Sequence, residues 1–449
     1  MIGLLFKQLL RSRGLVIGLL TLFVVGVLSI HTGKVFNNRQ AQIIELTEQV
    51  QSEQVDRNIE YGHGHIGLLL YYIKFGFAND SSPIAGLSIG QRDMRQAAQL
   101  INIRNLEEQK NTSEFINPYF QLLGNLDFSF VIIYLFPLII ITLCFDLWSE
   151  EKESGRWSLI ATQSAHPKNV LLSKLLLRFG FVVLLFGILF SIAIVYLNLP
   201  LDFSLLTFGG IALLYICFWF SLSWWVISLD QSSKQNAIIL LTTWLLLTTV
   251  FPIVANRIIT NTYPISEAYK TTIDSRDGYH TKWDLPKEPT INKFKEHYPQ
   301  YSEYQHPEGK SFGWFWYYAM QQMGDDESSK PRQAMKDKLH KRNNLTKWIG
   351  YFVPSIHTQL SMNALASTDM TNYLNYMDAL EKHHENLRLS FYQKVFEADP
   401  IDSVNWSNYG LEHYEEVRDL NLLLFLPLLL ANFLFLLMAY LLFGRKNYH

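Results

Sequence analysis

Long apolar blocks alternate with polar stretches along this chain, and the blocks have the length of membrane spans. A helix needs about 20 mostly apolar residues to cross a bilayer. Blocks at 14–30, 128–145, 179–197, 205–227, 237–254 and 420–443 meet that requirement and predict six transmembrane helices. The first could pass for a signal peptide, but no small-x-small cleavage site follows it, so it reads as an uncleaved signal-anchor. Residues 1–13 carry a separate signal. Ile2, Leu5, Phe6, Leu9 and Leu10 recur at helical spacing with Lys7 and Arg11 off that face. This predicts either a helix lying in the membrane interface or the start of the first span.

The polar segments between the blocks are unequal. Segments 31–126 and 255–419 are long enough to fold, whereas 198–204 is not. In 39–61 and 91–123 apolar residues recur three or four apart, which predicts helices, with Asn117-Pro118 as a break. Residues 62–90 are rich in glycine and apolar side chains and read as a loop packed on other helices. Prolines and aromatic residues in 263–309 predict irregular structure pinned by ring packing. From Ser355 to Val395 the pattern is one long helix, with Tyr373, Met377, Leu380, Leu387 and Phe391 on a single face. The expected architecture is an all-α membrane protein in which the two long segments pack into one mainly helical domain outside the bilayer.

Composition agrees with this picture. The chain has 449 residues, 49% hydrophobic and 17% charged, against about 25% charged for a soluble protein. The formal net charge of -2 leaves no basic footprint for nucleic acid. Cys144 and Cys217 both fall inside apolar blocks and read as small core residues rather than a disulfide. The distribution of positive charge sets orientation. Lys7, Arg11 and Arg13 precede the first span; Lys152, Arg156, Lys168, Lys174 and Arg178 lie between the second and third. Lys234 lies between the fourth and fifth, and Arg445 and Lys446 follow the sixth. All of these fall on one side of a six-span chain, which predicts both termini and the loop 146–178 in the cytoplasm. Trp219, Trp224 and Trp225 read as an aromatic belt at the inner end of the fourth span.

Few residues suit a chemical site. Gly309-Lys310-Ser311 lacks the glycine a phosphate-binding loop needs five positions earlier, where Tyr304 stands. His63-Gly64-His65 and His383-His384 lack a third ligand and read as packing or surface histidines rather than a metal site. There is no Ser-His-Asp arrangement, catalytic carboxylate pair or His-Glu-x-x-His helix. Spans two to six are nearly free of ionisable groups, which argues against a membrane enzyme or an ion-coupled transporter. Asp127 and Arg257 stand at the outer ends of spans two and five. There they cap a helix and snorkel respectively, or touch a substrate headgroup. Pro137, Pro252 and Pro427 are placed to kink spans.

The most distinctive stretch is Glu150-Glu151-Lys152-Glu153-Ser154-Gly155-Arg156-Trp157, in the loop between spans two and three. The glutamates suit a helix N-terminus, Gly155 permits a turn or close approach, and Trp157 suits an apolar groove on a partner. The bland alternative is a solvated loop. This stretch, with six spans and both ends inside, resembles the ABC-2-type transporter permeases. They carry Glu-x-Glu-x-Gly at this loop, here Glu151, Glu153 and Gly155, then apolar residues, here Leu159-Ile160. A basic helix follows, here with Lys174 and Arg178. The chain is similar to the subset with large extracytoplasmic insertions after the first and before the last span. Pro354-Ser355-Ile356-His357-Thr358-Gln359 and Ala366-Ser367-Thr368-Asp369 match that subset. It departs from the family at Arg156, where many members have Thr, and at Pro167, which comes late.

The resemblance implies a permease without an enzyme activity or cofactor of its own, in the bacterial inner membrane with a large periplasmic part. ATP and Mg would be bound by separate cytoplasmic ABC ATPase subunits. A second permease chain, identical or related, would complete the complex among membrane lipid. Glu150, Glu151, Glu153, Gly155, Arg156 and Trp157 would receive the ATPase motion, and the cargo would be amphipathic or large and move outward. The alternative is an envelope-assembly or mechanotransmission device acting on a periplasmic partner, with nothing transported.

Overall fold

A computed structural model describes residues 13–61, 64–110, 125–163, 167–307, 309–416 and 421–445. The expected interfacial helix at 1–13, the break at Asn117-Pro118, His63 and Lys446 therefore lie outside the described residues, apart from Arg13. In chain order, α1 (Arg13–Tyr61), α2 (Ile66–Tyr72), β1 (Phe75–Asn79), β2 (Ala98–Ile101) and α3 (Leu106–Lys110) come first. Next are α4 (Phe128–Glu153), α5 (Arg156–Gln163), α6 (Pro167–Tyr196), α7 (Phe203–Ser228) and α8 (Ser233–Thr262). Then follow α9 (Glu267–His280), α10 (Glu288–His297), α11 (Trp314–Glu327), α12 (Ser329–Gly350), α13 (Pro354–Leu365) and α14 (Met370–Glu397). The chain ends with β3 (Glu412–Tyr414) and α15 (Leu422–Gly444).

Six helices, α1, α4, α6, α7, α8 and α15, are long and apolar enough to cross a membrane. The chain is thus mainly helical and compatible with a multi-pass membrane protein. In α7 and α4, 72% and 61% of the apolar window is buried by other protein, against 11% to 22% in the other four. The bundle is therefore built around α7, whose Phe208, Tyr215, Trp219 and Val226 lie in its core. Trp219 is completely buried there and is not part of an aromatic belt, while Trp224 and Trp225 pack partly buried against the same core.

The first span does not stop where its apolar block stops. Residues 31–61 contain no proline and only Gly33, so nothing interrupts hydrogen bonding, and α1 continues unbroken to Tyr61. At 1.5 Å per residue its 49 residues extend roughly 70 Å.

Beyond one end of the bundle, residues from 64–110 and 267–414 interleave around a second core, here called the cap domain. Phe75 and Phe77 from the first segment share it with Phe294, Tyr318, Tyr376 and Phe391 from the second. Three short strands give it a mixed sheet of order β2-β1-β3. β1 pairs antiparallel with β2 (Phe77↔Gln99) and parallel with β3 (Phe77↔Glu412). This corrects the loop expected at 62–90 and, as far as residue 110, the helix expected over 91–123, whose remainder lies outside the described residues. Every residue of β1 is buried, so it shows no in-out alternation, the pattern that would mark it as a strand.

Two further expectations change. Residues 263–309 contain α9 and α10 rather than irregular structure throughout, although rings do pin the turn after α10. Phe294 packs on Tyr298 (centroids 5.1 Å) and Tyr301 on Phe396 (5.4 Å). The long helix expected from 355 to 395 is broken into α13 and α14. Ser367 takes a left-handed φ of 55°, and Asp369 caps α14 by accepting from the Asn372 amide at 3.1 Å.

Candidate coupling site

The end of the bundle opposite the cap domain carries the Glu150–Trp157 stretch. The chain leaves the last turn of α4, Ser149–Glu153, through Gly155. Gly155 has φ +73° and nothing near its missing Cβ, so the left-handed turn, and not crowding, is what requires glycine. This turn reverses the chain into α5.

Two of the acidic side chains are tied to other elements, Glu151 in a buried position and Glu153 in an exposed one. Glu151 is 5% exposed; its carboxylate accepts hydrogen bonds from Lys174 of α6 and from Arg156 Nε at 2.8 Å. Glu153 reaches the start of α8 and accepts from the Ser233 amide at 2.9 Å and the Ser233 hydroxyl at 3.0 Å. There it meets free amides at the positive end of a helix. Lys152 pairs with Asp230 in the turn between α7 and α8 and lies 3.7 Å from the Trp148 ring centroid. Deeper in, Arg178 donates to the Leu143 carbonyl, and Asn236 Nδ2 donates to the Phe145 carbonyl at 3.1 Å. The loop is thus fastened to α4, α6, α8 and the α7–α8 turn.

The outward side is set by what remains. Glu150 and Arg156 are 53% and 47% exposed and pair with each other at 3.0 Å. Trp157, expected to insert into a partner, instead packs half-buried against Trp148, ring centroids 5.6 Å apart and edge to face. The exposed apolar residue of α5 is Leu159, 60% exposed. Ser158, Thr162 and Gln163 are exposed beside it. Ser149, Asp230 and Ser233 escape sequence reasoning. Only the Ser232-x-x-Gln235 capping box, which places Ser233 at a helix start, is a readable signal.

The proposed substrate or gate residues do not gather into one site. Asp127 is buried and fully engaged, accepting from Phe130 N (2.8 Å), Ser129 Oγ (2.7 Å) and Ile89 N (2.8 Å). It caps α4 and ties it to the cap domain. Arg257 is exposed on α8. Pro137 and Pro252 share a construction that no sequence pattern announces. Each follows a π-helical turn and a phenylalanine: Val131–Leu135 before Phe136-Pro137, and Leu246–Val250 before Phe251-Pro252. A proline removes one backbone donor, and wide turns of this kind recur at functional points in helices.

Carbonyls in these turns find partners on other elements. Pro137 cannot donate to Ile133, whose oxygen accepts from the Tyr215 hydroxyl at 3.2 Å. Tyr134 O accepts from the Trp244 indole at 3.1 Å. Leu247 O, five positions before Pro252, accepts from the Ser355 hydroxyl of α13. α13 also binds α15 and α4. His357 Nε2 donates to Leu424 O at 2.7 Å, and Gln359 Nε2 to Ser129 Oγ at 3.4 Å. Its Met362 and Leu365 belong to the bundle core. The Pro-Ser-x-x-x-Gln stretch is therefore the joint between cap domain and bundle.

The histidine pair is buried in the cap domain. His384 donates to Asn102 O at 2.9 Å, and burial, with Arg388 nearby, holds it well below its ordinary pKa. His383 contacts Glu412 of β3. No group of three or more potential metal ligands occurs among the described residues.

Residues 267–414 match the family model described as "Domain of unknown function (DUF3526)", which spans α9 to β3 and less than half of the chain. No curated protein and no solved structure matches the chain.

Proposed function

We propose that this chain is the permease subunit of an ATP-driven transporter of the ABC-2 type, oriented with the α4–α6 loop in the cytoplasm. The observation that carries this reading is the two-sidedness of α5. One side is exposed through Leu159; the other is tied through Arg156 and Trp157 to Glu151 and Trp148 at the end of α4, which is itself fastened through Glu151, Lys152 and Glu153 to α6, the α7–α8 turn and α8. A partner that pushes α5 therefore moves α4, α6 and α8 together. ATP and Mg belong to that partner, a separate ATPase, and a second permease chain completes the pair. The positive charges at the loop end support a cytoplasmic position for it in a bacterial inner membrane, with the cap domain outside.

Motion has a route onward. α4 and α8 each contain a wide turn before a proline, and both are bound by α13, which begins the second half of the cap domain. This joint also favours the second reading, a device that moves its outer domain against an envelope partner without transporting anything.

Leu159→Asp tests the coupling surface. The variant is expected to fold normally, since Leu159 is exposed, and to lose most of the ATPase that co-purifies with the wild-type chain. Undiminished co-purification with unchanged ATPase stimulation in proteoliposomes would remove α5 as the contact.

Ser355→Ala tests the onward route. It deletes one hydrogen bond, worth about 1 kcal/mol. The expected result is an intact complex whose ATP-dependent movement, read by distance between spin labels on the cap domain and α8, is weakened. Wild-type movement would mean that this bond transmits nothing.

A further inference from the structure

The corner between α12 and α13 carries three aromatic rings that the described residues leave exposed. Trp348 is 64% exposed, Tyr351 49% and Phe352 82%. Trp348 and Tyr351 pack edge to face with centroids 5.6 Å apart. A large apolar side chain left in water forgoes the free energy of its burial, so three at one corner call for a partner.

The depth of the corner identifies that partner. α12 runs antiparallel to α8. Arg342 Nε donates to Tyr263 O at 2.7 Å, and farther along Ser355 donates to Leu247 O. Between those two ties the corner passes alongside α8 near Pro252 and Val254, on the bundle side of Arg257. Lys234 and Arg257 bracket the apolar stretch of α8, and at 1.5 Å per residue they stand about 35 Å apart along the helix, close to the ~30 Å hydrocarbon thickness of a bilayer. Phe352 thus falls at the edge of the hydrocarbon layer. Trp348, one helical turn back toward the cap domain, falls at headgroup level. Trp and Tyr favour that level, where a ring meets lipid and its polar tip meets water. The exposed side chains of α8 at this height, Ile253 (64%), Val254 (46%) and Ile258 (50%), continue the same apolar surface.

We infer that the corner at 348–353 is inserted into the lipid leaflet on the cap-domain side, as an aromatic anchor that seats the cap domain on the membrane. The partner is lipid. The inference requires that the six apolar helices cross a bilayer and is independent of any coupling to an ATPase.

The full chain, reconstituted in phosphatidylcholine–phosphatidylglycerol vesicles with Cys144 and Cys217 replaced by alanine, is labelled with a nitroxide at Phe352→Cys or Asp337→Cys. Asp337 is exposed higher on α12. The expected result is a label at 352 that is accessible to oxygen and shielded from a water-soluble nickel chelate, with the opposite at 337. Nickel access at 352 equal to that at 337 would place the corner in water and overturn the inference. Shielding from both reagents would mean a protein cover, such as a second copy, and would also overturn it. An independent measurement avoids the cysteine-free background. In vesicles containing brominated phosphatidylcholine, Trp348→Phe should remove a component of quenchable fluorescence; an unchanged quenchable component would count against insertion.

Discussion

Arg388→Ala is expected to destabilise the cap domain by about 3–5 kcal/mol, the cost of stranding a buried charge. Arg388 and Asp325 are 3% and 7% exposed and 2.7 Å apart. The guanidinium also donates to Ile103 O at 3.2 Å and Arg104 O at 2.8 Å. Asp325 in turn accepts from the Leu106 amide at 3.0 Å and the Glu107 amide at 3.1 Å. One ion pair thus holds together α11, α14 and the stretch leading into α3. Its loss leaves Asp325 with two amide donors and no directly paired cation. A thermal scan of the purified chain, together with limited proteolysis of 267–414, should show the cap melting well below the wild type. Arg388→Lys keeps the charge but not the planar fork, and should fall between the two. A wild-type melting profile for Arg388→Ala would show that the pair contributes nothing net.

Gly33→Val is expected to cost about 3 kcal/mol, at the upper end of the range for overpacking. A Cβ at Gly33 would stand 1.9 Å from the carbonyl oxygen of Gly86 and 2.7 Å from its carbon. The obstacle is backbone, which cannot rotate away as a side chain can. α1 and the short helix Pro83–Leu87 would have to separate, pulling on Ser88 and Ile89 and so on the bonds those residues make to Asn363 and Asp127. Gly14→Ala is the control, because nothing lies within 4 Å of its missing Cβ. The comparison is a melting curve in detergent, with Gly33→Val far below Gly14→Ala. Equal curves would show that the helix contact is slack.

How much of this was readable depends on whether a residue's role follows from its neighbours in sequence or from those in space. The six apolar helices were legible because length and apolar content decide them. The end of α1 was not, because an apolar block ends at 30 while the helix ends only where hydrogen bonding is interrupted. β1 was hidden by being buried on both faces. At the loop end, the motif marks a stretch, but the directions of its side chains do not follow from it. Glu151 and Trp157 look outward-bound in sequence, yet Lys174 and Trp148, distant or unremarkable in the chain, turn them inward, and Ser233 ties down Glu153, which stays exposed. Leu159 is one of two adjacent apolar residues in sequence and the one left exposed on α5. The prolines were visible as possible kinks. Their wide turns were not, since the carbonyl partners Tyr215, Trp244 and Ser355 come from other elements.

The strand order β2-β1-β3 also governs the order in which the molecule can be completed. β1 and β2 emerge early in synthesis, but the second neighbour of β1 is β3, which arrives after α8 and all of α9 to α14. Until then one edge of an entirely buried strand lies open, the kind of edge that pairs with the wrong chain. Such distant pairing is slow to form. A nascent chain halted before residue 412 should therefore lack a closed cap, and would be a ready target for quality control.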